Sequence, residues 1–385
     1  MQHIYQTETV FEALHQNTPM VAECYGEKIK LYSYHATATD WPTVIEWHRS
    51  RHPRPVFCFM DVREITHPVH LDPNNDKSHV NWIPKMWTDH GVDPRHILWI
   101  GNHHSMIDHD TVNKLLGMPI HTALIRYFEA EAVFRHYHQT SSMNRQGPFH
   151  QTIRTLMSYD KSYLALFGKP RKFMRAGAMV QMFRKGMTKH AVISSLAEGN
   201  GITECIEWAS THWPRDELER AFKTNQGSAD DIQYDSPNTD NSNYRGYPYD
   251  PKLYEDTAIS IVAETNDIGV QGVATTEQFW ITEKICRPMF NYHPFVVLST
   301  PNFLKNLRAL GYKTFNSIVD ESYDQEQDPY VRLDKALDCA IELAKSITST
   351  QTKSIVVNNF EMLWKVYNDT NNMIKDKLNF ISSLK

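Results

Sequence analysis

The sequence predicts an α/β protein of two doubly wound halves with helices at its C-terminal end, and three observations predict it. Short apolar runs of strand length alternate with stretches at helical spacing along most of the 385 residues. That length exceeds the roughly 100–200 residues of a single domain, so two cores are expected. The last 60 residues are helical in pattern. Composition agrees, since 41% hydrophobic and 22% charged residues, with 9 Trp, 18 Tyr and 17 Phe, fill cores and exclude a mainly disordered chain.

In chain order, KIKLYSYH (28–35), RPVFCFMDV (54–62) and RHILWIGN (95–102) read as strands, each bounded by Pro, Gly or Asn. TALIRYFEAEAVFRHYHQT (122–140) has helical spacing and is expected to close the first half, residues 1–150. SYLALFG (162–168) and HAVISSL (190–196) read as strands on either side of a basic helical segment, 171–187. Its pattern predicts an amphipathic helix with Met174, Met179, Met182, Phe183 and Met187 inside and cations outside. Residues 224–256 turn to Asn, Asp, Ser, Gly, Pro and Tyr, with Ile232 and Leu253 as the aliphatics, and read as a surface loop or insertion.

TAISIVAET (257–265) is expected to be a strand ending in a carboxylate, and FWITEKICRPMF (279–290) has helical spacing. HPFVVLST (293–300) reads as a strand, and PNFLKNLRALG (301–311) as a helix with Pro at its start and Gly at its stop. The second half, 151–345, is then a Rossmann-like doubly wound sheet, and 346–385 are helices expected to pack back on the first half.

No apolar run approaches the roughly 20 residues that span a bilayer, and MQHIYQTETV lacks the basic-then-apolar design of a signal peptide, so a cytoplasmic protein without a membrane partner is expected. The five scattered cysteines form no C-x-x-C pair and read as reduced, mostly buried thiols. A net charge of −5 argues against coating nucleic acid by bulk electrostatics, but residues 151–215 hold 10 Lys and Arg against 4 Asp and Glu. Of the 20 histidines, 17 fall in residues 1–150, which points to metal or proton chemistry there or to a biased composition.

Ligands of such sheets bind beyond the carboxyl ends of the strands, where helix starts favour phosphate. Phe167-Gly-Lys-Pro-Arg-Lys-Phe-Met-Arg175 brings Lys169, Arg171, Lys172 and Arg175 to such a place, and guanidinium groups suit a diphosphate because they deliver paired charge-assisted hydrogen bonds. A solvated basic face is the bland alternative. Glu264 ends the strand Ser260-Ile-Val-Ala-Glu264, and Thr282-Glu283-Lys284 opens a helix, where a Glu can accept ribose hydroxyls and a Lys can neutralise a departing diphosphate. Helix capping explains a Glu-Lys start equally well.

The order of these segments, ISIVAETN then FWITEKICRPMFNYHPFVV, resembles the nucleotide-sugar signature of α1,3-fucosyltransferase-like glycosyltransferases, which have two facing Rossmann-like domains, the GT-B arrangement. It is similar still more closely to glycosyltransferase-like proteins of tailed phages, which share the Thr-Glu-Lys run, the run from Leu307 to Phe315 and the run from Asp320 to Asp324. The likeness covers about residues 160–345. Ala263-Glu264-Thr265 departs from the Phe-Glu-Asn of the fucosyltransferases, so the base and sugar do not carry over. The resemblance implies a glycosyltransferase without a metal or other cofactor, using a nucleotide-diphosphate sugar as co-substrate. Glu283 would hold the ribose next to Thr282, Lys284 with Arg171, Lys172 or Arg175 would contact the diphosphate, and Glu264 would lie near the transferred sugar. The acceptors it implies are a hydroxylated base of viral DNA or a glycan.

Such a reaction needs a general base for the acceptor hydroxyl, and Asp61, Glu64 and Asp108 in the first half are the candidates. His103, His104, Asp108 and His109 support a rival reading, a metal-dependent hydrolase, and Asp108-His109-Asp110 matches a manganese-binding Asp-x-Asp. A non-catalytic protein that binds nucleotide sugars is the third reading.

Overall fold

A computed structural model describes residues 20–24, 27–33, 57–61, 91, 93–102, 114, 120–126, 128–130, 132–133, 161–168, 172–195, 200–229, 251–264, 279 and 281–384. The chain is α/β and divides into two compact units, each built on its own sheet.

The first unit holds β1 (Met20–Cys24), β2 (Glu27–Ser33), β3 (Phe57–Asp61), β4 (Ile97–Asn102) and β5 (His121–Ile125) in that spatial order. β1 runs antiparallel to β2, and the other neighbours are parallel. One expectation is corrected here. The segment 122–140 does not begin as a helix, because His121–Ile125 pairs with Leu98–Asn102 and alternates Ala123 and Ile125 into the core; helix follows at 128–130 and 132–133. A five-residue apolar run fits either period, and pairing with β4 decides it.

The second unit contains β6 (Lys161–Gly168), β7 (Ala191–Ser195), β8 (Thr257–Ala263) and β9 (Phe295–Leu298), all parallel, in the order β7-β6-β8-β9. Every residue of β8 and β9 is buried, as expected for central parallel strands covered on both faces. The chain runs from β6 through α1 (Phe173–Arg184) to β7, then through α2 (Asn200–Ala209) and α3 (Arg215–Ala229) back past β6 to β8. The strand order therefore reverses between β6 and β8, and the carboxyl ends of those two strands flank the switch point.

Three further helices complete this half: α4 (Pro251–Glu255), α5 (Glu283–Phe290) and α6 (Phe303–Ala309). α3 and α4 enter the expected 224–256 loop from its two sides, and residues 230–250 lie outside the described ones. α7 (Pro329–Lys345) and the long α8 (Thr350–Ser383) follow; α8 begins in the second unit and belongs to the first from Val366 onward.

The expected exposed basic face of α1 is a second correction. Nine of its twelve residues are buried, Arg175 among them, because the helix is wedged between α3 and α7. Gly177 marks the closest approach: a Cβ there would collide with the Trp213 indole and with Leu333 of α7. Phe183 is only partly buried. The cations at the far end are paired, Arg184 with Glu217 of α3, and Lys185 with Asp334 (2.8 Å) and Asp338 (2.6 Å) of α7. Part of the basic segment thus fastens helices to one another.

Candidate functional site

The carboxyl end of β8 is built around Glu264, which is 1% exposed. Its N–H donates to the Leu298 carbonyl of β9 (3.1 Å), continuing the ladder one step past the strand. One carboxylate oxygen accepts from the backbone N–H groups of Thr282 and Ile285 (both 3.3 Å), and the other accepts from the Thr282 hydroxyl (2.5 Å). Both oxygens therefore serve the start of α5, where a buried anion meets the positive end of the helix dipole.

Thr282 is the N-cap of α5. Its extended backbone turns the chain into the helix, and its hydroxyl oxygen accepts from the Lys284 N–H (3.3 Å) and from the Lys284 ammonium (3.3 Å). That ammonium also donates to Glu283 (2.8 Å), and the two side chains keep 21% and 24% exposure. A buried knot of Glu264 and Thr282 thus presents a partly exposed carboxylate and ammonium at the sheet edge.

Across the switch point, α1 starts after the end of β6. Its N-cap is Lys172, in extended conformation and with no side-chain cap, and Arg175 lies buried in the first turn. α5 and α7 are capped by side chains, α7 by Asp328, which accepts from Tyr330 N (2.8 Å) and Val331 N (3.1 Å). The strand order brings Lys172, Arg175, Glu264, Thr282, Glu283 and Lys284 to one edge of one sheet. Arg171 lies outside the described residues, as do Glu64, Asp108, His103, His104 and His109. Asp61 is the last residue of β3.

Sequence reasoning missed what holds the other end of α5. His293, 2% exposed, follows the helix; its Nε2 donates to the Thr257 carbonyl (2.8 Å), so its Nδ1 accepts from the Ser260 hydroxyl (2.8 Å). Burial drives its pKa down to about 4, the Thr257 carbonyl opposing, and the ring stays neutral. Tyr254 of α4 packs edge-on against it at 5.4 Å between ring centres, and burial lifts that phenol to about 12. The only sequence signal was the His-Pro pair before β9.

The runs Leu307–Phe315 and Asp320–Asp324 prove to be one scaffold. Glu321 accepts from Arg308 (2.9 Å), the Thr314 hydroxyl (2.6 Å) and the Phe315 N–H (2.7 Å). Asp324 accepts from Leu304 N (2.8 Å) and Lys305 N (3.0 Å), which caps α6, and the Tyr323 hydroxyl accepts from Val297 N (3.3 Å) in β9. These residues fix the strand and helix beside the edge.

Among the described residues, no group of three or more His, Cys, Asp and Glu is placed to hold a metal ion, Cys205, Cys286 and Cys339 are buried and outside any disulfide, and no helix is long and apolar enough to cross a membrane. No protein-family model matches the sequence, and no curated protein is similar to it in sequence. Solved structures to which the chain is similar include three α,α-trehalose-phosphate synthases, of which those from Burkholderia xenovorans and Burkholderia vietnamiensis are described as UDP-forming. The one from Burkholderia xenovorans is 10% identical, with 91% of this chain and 80% of that chain covered and a TM-score of 0.42. The one from Burkholderia multivorans is 9% identical (89% and 75% covered, TM-score 0.43), and the one from Burkholderia vietnamiensis 10% identical (91% and 80%, TM-score 0.41).

Proposed function

We propose that the chain is a glycosyltransferase that takes a sugar from a nucleotide-diphosphate donor and passes it to a hydroxyl. The observation that carries this reading is the knot at the switch point, where Glu264 and Thr282 hold Glu283 and Lys284 at the strand edge that also receives Lys172 and Arg175. Glu283 is assigned to the ribose hydroxyls. Lys284, with Lys172, Arg171 and Arg175, is assigned to the diphosphate. Negative charge accumulates on that leaving group as the glycosidic bond breaks, so fixed cations stabilise the transition state more than the ground state, and the reaction runs without a metal. Glu264, with both oxygens given to α5, is a positioning residue for that helix start.

The acceptor we favour is a hydroxylated base in viral DNA, following the likeness to phage proteins, with cytoplasmic action in the infected cell. A thermal-shift screen of UDP-, GDP-, dTDP- and CMP-sugars identifies the donor. Mass spectrometry after incubation with hydroxymethylated DNA then reads the transfer. Asparagine or glutamine at Asp61, Glu64 and Asp108 in turn identifies the base. If no donor binds, the glycosyltransferase reading is wrong. Binding without transfer to DNA or to any glycan leaves an accessory protein that holds a nucleotide sugar.

A further inference from the structure

Among its described residues the second unit exposes two large apolar side chains, and they are neighbours: Tyr330 and Val331 in the first turn of α7, each 41% exposed. Tyr330 stands on a buried aromatic base. Its ring meets Phe173, the first residue of α1, edge-to-face at 4.8 Å between ring centres, and the Trp213 indole at 5.0 Å. Its hydroxyl donates to the His212 carbonyl (3.4 Å). The partly exposed His212 ring flanks Phe173 at 5.4 Å, and Phe173 and Trp213 are buried beneath. Tyr330 and His212 thus present an aromatic surface with a polar rim at the beginning of two helices.

Both beginnings lie at the edge of the sheet where ligands bind. α1 follows the carboxyl end of β6, and α7 is tied to that of β9 by Arg332, whose Nε donates to the Ser299 carbonyl one residue past the strand (3.0 Å). The crossovers β6-α1-β7 and β8-α5-β9 leave the switch point in opposite directions, so right-handed connections put α1 and α5 on opposite faces of the sheet. α7 lies on the α1 face, with Leu333 against Gly177. A nucleotide whose ribose is held by Glu283 at the α5 start, and whose diphosphate reaches Lys172 and Arg175 at the α1 start, therefore carries its sugar out on the face of α1 and α7. We propose that Tyr330 is the sugar-stacking residue of the donor site, its ring lying against the apolar face of a hexose with His212 at the rim. This deepens the glycosyltransferase reading and rests on it, and on Glu283 as the ribose ligand. A six-membered sugar offers a face of C–H groups between hydroxyl-bearing edges, and a tyrosine ring covers that face while the hydroxyls keep their water.

The test is calorimetry on the full chain, comparing UDP, GDP and dTDP with UDP-glucose, GDP-mannose and dTDP-glucose in wild type, Tyr330→Ala, Tyr330→Leu and Tyr330→Phe. Thermal midpoints report folding. Loss of the ring in Tyr330→Ala weakens binding of the preferred nucleotide sugar by about threefold to tenfold and leaves its nucleoside diphosphate within about twofold. Tyr330→Phe keeps the ring and recovers most of that loss, which separates stacking from the bond to His212. Should Tyr330→Ala fail to fold, Tyr330→Leu carries the test. It keeps an apolar side chain against Phe173 and Trp213 but offers no ring, and the same selective loss is expected. An equal loss for nucleotide sugar and nucleoside diphosphate, or no loss for either in a folded variant, overturns the subsite and leaves the glycosyltransferase reading standing. So does a loss in Tyr330→Phe as large as that in Tyr330→Ala. Wild type that binds none of the six compounds overturns both.

Discussion

The starts of α5 and α6 use the same device for different ends. In each, a buried carboxylate from outside the helix accepts backbone N–H groups of the first turn: Glu264 from Thr282 and Ile285, Asp324 from Leu304 and Lys305. The first turn of α6 then turns Phe303 and Leu304 into the core, with Lys305 exposed. That of α5 holds Glu283 and Lys284 partly in solvent at the edge of the sheet. A carboxylate tied to a helix start is therefore no sign of a site. What that start presents, and whether it stands at the switch point of the sheet, makes the difference.

The sharpest way to break this comparison is to remove one lysine from each start. Lys284→Ala is expected to lower sugar transfer by roughly a hundredfold to a thousandfold, the usual loss when a fixed donor to a developing negative charge is removed. Its thermal midpoint should stay near that of wild type. Lys305→Ala, on an exposed position, should change neither rate nor stability beyond about 0.5 kcal/mol. Equal rates for the two variants would show that the α5 start is as structural as the α6 start.

α5 is also held at its far end, and there the pH dependence has a definite sign. His293 has a folded pKa of about 4, below its unfolded value of about 6.5. As pH falls through that window the unfolded chain takes up a proton that the folded one refuses, so stability present above pH 6.5 is lost by about pH 4. The loss from this residue is on the order of 3 kcal/mol. Urea midpoints measured across the window should fall for wild type and fall less for His293→Gln, whatever that variant's stability at pH 7. The α6 scaffold has the opposite sign. Burial raises the Glu321 carboxyl against the opposing bonds from Thr314, Phe315 and Arg308, so the folded state gains a proton first and this residue favours the fold as pH falls. Glu321→Gln should therefore steepen the acid loss that His293→Gln reduces.

A smaller effect separates the two carboxylates. Glu264→Gln and Asp324→Asn each put an amide donor where an acceptor oxygen meets backbone N–H groups, and each should cost about 1–3 kcal/mol in chemical denaturation. Only Glu264→Gln should also weaken nucleotide binding, since it alone loosens Thr282 and Lys284.

Legibility in the sequence followed the same division. The strands ending at Gly168 and Ala263 and the Thr-Glu-Lys start were readable because a buried parallel strand is a continuous apolar run and an N-cap has a residue signature. The strand at His121–Ile125 was not, because a short apolar run acquires its identity from the neighbour it pairs with. Nor was the burial of Arg175, since enclosure of α1 depends on α7, more than 150 residues later in the chain. The ties of Ser260 to His293 and of Arg308 to Glu321 join residues that stand in separate runs of the sequence.

The last contrast lies across the switch point, where α1 has no side-chain cap and is positioned by packing. Gly177 allows the Trp213 indole and Leu333 to lie directly against the helix backbone. Replacing a helical glycine with alanine ordinarily gains about 1 kcal/mol from backbone entropy. Here the added methyl would force a buried indole and a buried leucine to move, an overpacking cost of about 1–3 kcal/mol that outweighs the gain. Gly177→Ala should therefore be destabilised by a net ~1 kcal/mol, read as a lowered urea midpoint with unchanged slope. Because the shift displaces the first turn of α1 and the buried Arg175, diphosphate binding should weaken in the same variant. A Gly177→Ala chain more stable than wild type would mean that α1 yields readily and that packing does not set its place.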